Sequence, residues 1–227
     1  MLATGSYPEA EQTDKRGERA MDDRTQERTF ERIESARERW DVLRHSFYRR
    51  WTAGELSGEE LARYSGQYRH AVEAIAAVSY AVADSMPERP GLRRHAAEER
   101  AHVDLWDGFV AASGGRADDG ATPETDACVA EWTRAGEPVE LLARLYAIES
   151  GQPAIAALKR EGLVDSYGFE DGSATAYFAV HETRDVEHAA EARELLAEVA
   201  GAGDEDRMVA VAESAFRANW RLLDGVG

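Results

Sequence analysis

Apolar positions in this chain recur at helical intervals, and no segment alternates at the two-residue interval of a strand for more than a few residues. Phe30, Ile33, Trp40 and Leu43 keep one such stripe. "TAGELSGEE" then makes a turn, with Ser57 and Glu60 spaced as a capping box for the next helix. Leu61, Tyr64, Tyr68, Val72, Ile75, Ser79 and Val82 carry that helix's inner face, and "MPERPG" ends it. A third helix is predicted from about 92 to 113, stopped by Gly114 and Gly115. A short helix near 127 to 134 leads to Pro138, well placed as a helix start, and the helix it opens is predicted to run to about 163. After "DSYGFEDGS" comes a helix over "AYFAVHETRDVEHAAEARELLAEV", and a last one covers about 205 to 223. The pattern predicts an all-α, single-domain bundle of about seven helices over residues 29–227. Residues 1–28 lack apolar periodicity and are dense in charge, so they are expected to form a flexible or frayed N-terminal tail.

Several inner faces carry polar side chains where apolar ones would serve. In "HETRDVEH", a rotation of about 100° per residue sets Asp185 roughly 40° from His181 and His188 roughly 20° to the other side, on the stripe of Tyr177, Ala192 and Leu195. Buried imidazoles and a carboxylate need partners. Two other helices offer them. Glu99 and His102 are three apart in "EERAHVDLW", and Glu149 stands among Leu142, Tyr146, Ile148 and Ile155. Three carboxylates and three imidazoles on three helices suit a two-metal centre, because helical bundles build such centres from carboxylate-x-x-His pairs and further inward glutamates. Nitrogen and oxygen ligands without sulfur favour iron or manganese over structural zinc. Glu149, alone on its helix, is the expected bridge. Glu98 is an alternative to Glu99, and His95, one turn before Glu99, is expected to support a ligand carboxylate. His45 and His70 are expected to be structural or to line a pocket.

Composition narrows the partners. The net charge of −17 argues against nucleic acid or an anionic membrane. One cysteine, Cys128, allows no internal disulfide and no thiolate cluster. No stretch has the signal-peptide pattern or the roughly 20 apolar residues of a membrane span, so a cytoplasmic location is expected. A homodimer is compatible with this composition.

The segments "HSFYRRWTAGELSGEELARYSGQYRH", "EERAHVDLW", "ESGQPAIAALKREGL" and "YFAVHETRDVEHA" together resemble the haem-oxygenase-like dimetal oxidases, a family related in fold to thiaminase and pyrroloquinoline-quinone synthase. The resemblance covers about residues 30–220. It implies a metal site at Glu99, His102, Glu149, His181, Asp185 and His188, two ions as Fe/Fe or Mn/Fe, and O2 with an external reductant as co-substrates. Within the family the chain most resembles a branch of bacterial p-aminobenzoate synthases, chlamydial members included, in which the enzyme's own tyrosine becomes the product and a lysine is a possible amine donor. The matching positions hold Tyr48 and Lys159, and Tyr64 and Tyr177 match two further tyrosines. Two departures stand out. Ile148 replaces a tyrosine of that branch, and the spacing from Glu99 to His102 is shorter than in the chlamydial protein. Ten residues from Glu149 along one helix would turn Lys159 some 80° from the ligand, toward the edge of the site, from where its flexible stem could reach in. The other functions open at this point are oxidation of a small external substrate, such as an amino acid, amine or fatty acid, and a metal-free thiaminase-like or binding role. The last needs a nucleophile, and Cys128 lies outside the inferred site.

Overall fold

The structure is a computed structural model and describes residues 21–227. Its order is α1 (Asp23–Arg39), a 3-10 turn (Val42–Arg44), α2 (Ser46–Thr52), α3 (Gly58–Ser85), α4 (Pro90–Ser113), α5 (Pro123–Trp132), α6 (Pro138–Ser150), α7 (Gln152–Asp165), α8 (Ala176–Val199) and α9 (Glu205–Asp224). No β-strand occurs among the described residues.

Local chemistry sets most of these limits. The Ser57 hydroxyl accepts from the Glu60 amide while the Glu60 carboxylate accepts from the Ser57 amide, the capping box read from the sequence. Pro123 and Pro138 open α5 and α6, and Gly114 closes α4 with φ of +74°, a left-handed conformation that glycine adopts without penalty.

Two expectations change. The first concerns the tail, assigned to residues 1–28: Asp22 caps α1 through the Thr25 amide, the helix starts at Asp23, and Met21 is buried. Residues 1–20 of that tail lie outside the described residues. The second concerns detail within the expected all-α bundle: among the described residues there are nine α-helices where about seven were expected. The stripe from Phe30 to Leu43 breaks after Arg39, and α2 adds a short helix. The single helix expected from Pro138 to about 163 is two, because Pro153 has no amide to bond the Glu149 carbonyl and its ring would collide with that carbonyl. α6 therefore ends one residue after Glu149, and α7 starts in a new direction.

α8 packs against α4, α6 and α7; α4 also lies along α3, and α9 closes the bundle against α1, α5 and α6. α2 meets α7 through Trp51, whose indole donates to the Lys159 carbonyl. The approach is close at Gly162, where an added Cβ would lie 2.5 Å from the indole nitrogen. Glycine to alanine inside a helix is ordinarily favourable by about 1 kcal/mol. At Gly162 overpacking should outweigh that gain, costing about 1–3 kcal/mol. Gly162→Ala should therefore lower the urea midpoint of unfolding, and a raised midpoint would show that Trp51 has room to move.

Candidate metal centre

α4 presents His95, Glu99, His102 and Trp106 on one stripe, at steps of four, three and four. α8 presents Tyr177, His181, Asp185 and His188 at steps of four, four and three, and the last turn of α6 adds Glu149. None of these side chains is more than 8% exposed. The six expected ligands thus converge, together with His95. Glu98 stands at the rim: it is partly exposed, pairs with Arg184 at 2.8 Å and has Oε2 3.6 Å from Nε2 of His188.

The donor atoms form two groups. His95, Glu99, Glu149 and His188 offer atoms all within 4.8 Å of one another, and Glu99, His102 and His181 do the same. Glu99 is common to both; Glu149, expected as the bridge, belongs to the first. Oε1 of Glu99 lies 3.2 Å from Nδ1 of His102, 3.7 Å from Nδ1 of His188 and 3.8 Å from Nε2 of His95. The His95 and His188 rings are stacked at 3.8 Å, and those of His102 and His181 meet edgewise at 4.7 Å. Asp185 joins the groups, with Oδ2 2.8 Å from Nδ1 of His181 and Oδ1 3.7 Å from Nδ1 of His188.

These residues fit a metal pair on their own chemistry. Among the described residues, ten buried side-chain polar atoms have no hydrogen-bond partner, and eight of them belong to this cluster: Nε2 of His95 and His181, Nδ1 of His102 and His188, Oε1 of Glu99, both carboxylate oxygens of Glu149, and Oδ1 of Asp185. Each such atom costs about 1–3 kcal/mol if left alone. Cations answer that cost for all of them at once. His181 has one ring nitrogen on the Asp185 carboxylate and the other unpartnered, the arrangement that orients an imidazole toward a metal. Three carboxylates also nearly balance two divalent ions, which lets so acidic a cluster stay buried.

Protons interact with the same atoms. Burial opposes charge on His95, yet the Glu149 carboxylate overrides it and raises the imidazole to about 9. His181 is likewise raised by Asp185 against the effect of burial. Burial pushes Glu149 up, with His95 opposing. Metal entry must displace these protons, so affinity rises with pH.

Next to the cluster is an aromatic cage. Lys159, expected near the edge of the site, is 1% exposed, and its Nζ lies 4.3 Å from the ring centre of Tyr68, 5.3 Å from that of Tyr64 and 5.6 Å from those of Tyr48, Trp106 and Phe178. The 80° rotation does not apply across the break at Gly151, and the amine reaches the cage as its flexible stem allowed. Burial pushes the ammonium pKa well down and the Tyr48, Tyr64 and Tyr177 phenols well up. The Tyr48 and Tyr64 hydroxyls are 3.1 Å apart. Ring contacts run from the metal cluster to the cage: His181 to Tyr177 at 4.0 Å, Tyr177 to Trp106 at 4.8 Å, Trp106 to Tyr68 at 5.1 Å and Trp106 to Tyr64 at 6.1 Å. Sequence reasoning passed over Trp106 and treated Tyr68 as core. The available signal was the step of four from His102 to Trp106, which continues the ligand stripe.

Other candidates separate from this region. Cys128 is fully buried and its thiol is pushed far up by burial, unlike a nucleophile. His45 accepts from the Phe47 amide and contacts Asp224, and His70 bonds the Asp119 carbonyl, both structural roles. Among the described residues no helix is long and apolar enough to cross a membrane.

Comparison with known proteins agrees with this geometry. A family described as "Iron-containing redox enzyme", of the haem oxygenase type, matches residues 95–220. The chain is 32% identical to a 4-aminobenzoate synthase of Nitrosomonas europaea, over 82% of this chain and 85% of that protein. It is 30% identical to the 4-aminobenzoate synthase of Chlamydia trachomatis, over 81% of this chain and 85% of that one. In fold it is similar to a TenA homologue from Pseudomonas syringae, with a TM-score of 0.75 at 18% identity over 88% of this chain and 91% of that one. A haem-oxygenase-like domain from Shewanella denitrificans gives a TM-score of 0.70 at 21% identity, over 87% and 90% of the two chains.

Proposed function

The chain belongs to the haem-oxygenase-like family of iron-containing redox enzymes, and from that premise we propose that it is a self-sacrificing 4-aminobenzoate synthase, a dimetal oxidase that converts its own Tyr48 with Lys159 as amine donor. The observation that carries this reading is the cage: a fully buried amine set among rings that include Tyr48, beside a cluster of unpartnered metal-ligand atoms.

Glu99, His102, Glu149, His181, Asp185 and His188 would hold the ions, iron with iron or manganese with iron. When bound, such a pair supplies reductive activation of O2 with electrons from an external reductant. Turning a tyrosine side chain into 4-aminobenzoate breaks the Cα–Cβ bond, oxidises Cβ to the carboxyl carbon and replaces the ring hydroxyl, lost as water, by the Lys159 nitrogen, whose bond to Cε must in turn be cut by oxidation that leaves an aldehyde at Cε; O2 would be the oxidant for both carbon centres. Lys159 suits the exchange. Burial pushes its pKa well down, which favours the neutral amine, and the lone pair of that amine would attack an oxidised ring. The Tyr48 phenol must lose a proton as it is oxidised, and the Tyr64 hydroxyl, 3.1 Å away, is the group hydrogen-bonded to it. Tyr177 and Trp106 supply the contact path between His181 and the cage, at aromatic-pair distances throughout. This path does not use position 148, so isoleucine there is no obstacle; Ile148 instead borders a separate cavity with Trp132 and Phe216.

Protein loaded with ferrous iron, then given reductant and O2 without any added substrate, should release 4-aminobenzoate at less than one molecule per chain. Consumption of O2 with no product and an unchanged protein mass would overturn this reading in favour of an oxidase of a small external molecule.

A further inference from the structure

The six histidines divide cleanly by what their ring nitrogens meet. His45 and His70 are hydrogen-bonded to groups outside the centre, whereas His95, His102, His181 and His188 each leave a buried ring nitrogen without a partner. We infer that His95 is itself a metal ligand, a fourth imidazole on the ion that it would share with Glu99, Glu149 and His188. This rests on the dimetal reading and extends its ligand set from six residues to seven.

A supporting role for His95 predicts that its imidazole donates a hydrogen bond to a ligand carboxylate. The geometry differs. Nε2 of His95 comes within 2.8 Å of Oε1 of Glu149, an ion-pair contact in which the atoms do not line up as hydrogen-bond donor and acceptor, and neither atom has another hydrogen bond. Close approach without alignment is what two ligand atoms show when both aim at a third centre. The ring of His95 is stacked 33° from parallel on that of His188, so the two imidazoles approach one space together. His95 is also 7% exposed, which leaves little access for water to complete its bonding. With His95 included, each donor group has two imidazoles: His95 and His188 in one, His102 and His181 in the other, with Glu99 in both.

The test counts ions. Wild type, His95→Gln and the control His70→Gln are loaded with manganese(II), desalted and measured by elemental analysis, with circular dichroism to confirm helicity. Glutamine can still donate to Glu149, so a supporting role survives His95→Gln and a ligand role does not. Wild type and His70→Gln should hold about two ions per chain and His95→Gln about one. Two ions in His95→Gln, held as tightly as in wild type, would overturn the inference while leaving the dimetal reading intact. No ions in any of the three proteins would refute both. If His95→Gln does not fold, wild type with 15N-labelled histidine decides by pulsed electron paramagnetic resonance of the manganese: four coordinated imidazoles support the inference and three reject it.

Discussion

Tyr48→Phe should abolish release of 4-aminobenzoate while leaving the metal content of the protein unchanged. The substitution removes one oxygen atom from a residue that is 1% exposed and keeps the ring that fills its space. Its structural cost is the hydrogen bond to Tyr64, about 1 kcal/mol, within what a folded domain tolerates. Its chemical cost is complete in the proposed reaction, because a phenylalanine ring has no hydroxyl to lose to nitrogen and no phenolic proton to release on oxidation. After exposure to O2 and reductant, wild type should show a mass loss in the peptide that contains residue 48, and the variant should show none. Product from the variant would transfer the sacrificial role to another tyrosine, with Tyr64 next because it shares the cage.

Glu99→Ala should have the second large effect and remove both metal ions. Glu99 belongs to both donor groups, so its loss deprives each ion of a ligand and withdraws one of three balancing charges. Outer groups that only orient ligands are worth 10–100-fold in affinity, and a shared ligand should cost at least about 100-fold for each ion. Glu149→Ala, by contrast, should cost one ion, since Glu149 contacts one group. Elemental analysis of the two variants separates these outcomes. If Glu149→Ala loses both ions and Glu99→Ala keeps one, the bridge is Glu149, as its isolation on α6 suggests.

The convergence of the candidate ligands was legible in the sequence because α4 and α8 are uninterrupted helices, where a repeat of 3.6 residues converts spacing into direction. The end of α8 at Val199 and the convergence of His181, Asp185 and His188 follow from that periodicity alone. The burial of Lys159 was less legible, because a single-helix rotation does not carry across the break between α6 and α7 at Gly151. Which glutamate is shared depends on distances between helices, and spacing along one helix says nothing of those. Met21 and the first turn of α1 were read as tail because their contacts are with the other end of the chain: the Met21 amide donates to the Ala200 carbonyl.

The closed aromatic cage bears on the fate of the protein after it has acted. Tyr48 packs against Phe47, Trp51 and Tyr64 with almost no route to solvent, so a cleaved ring leaves only when neighbouring helices part. In the proposed reaction the spent chain would then keep a void the size of a phenol. Emptying an aromatic site of this kind costs about 3–5 kcal/mol, a large share of the 5–15 kcal/mol that holds a domain together. Used molecules would therefore unfold more often than fresh ones and be the first taken by proteolysis. Supply of the aromatic product would follow the rate of protein synthesis, one 25.0 kDa chain for each ring.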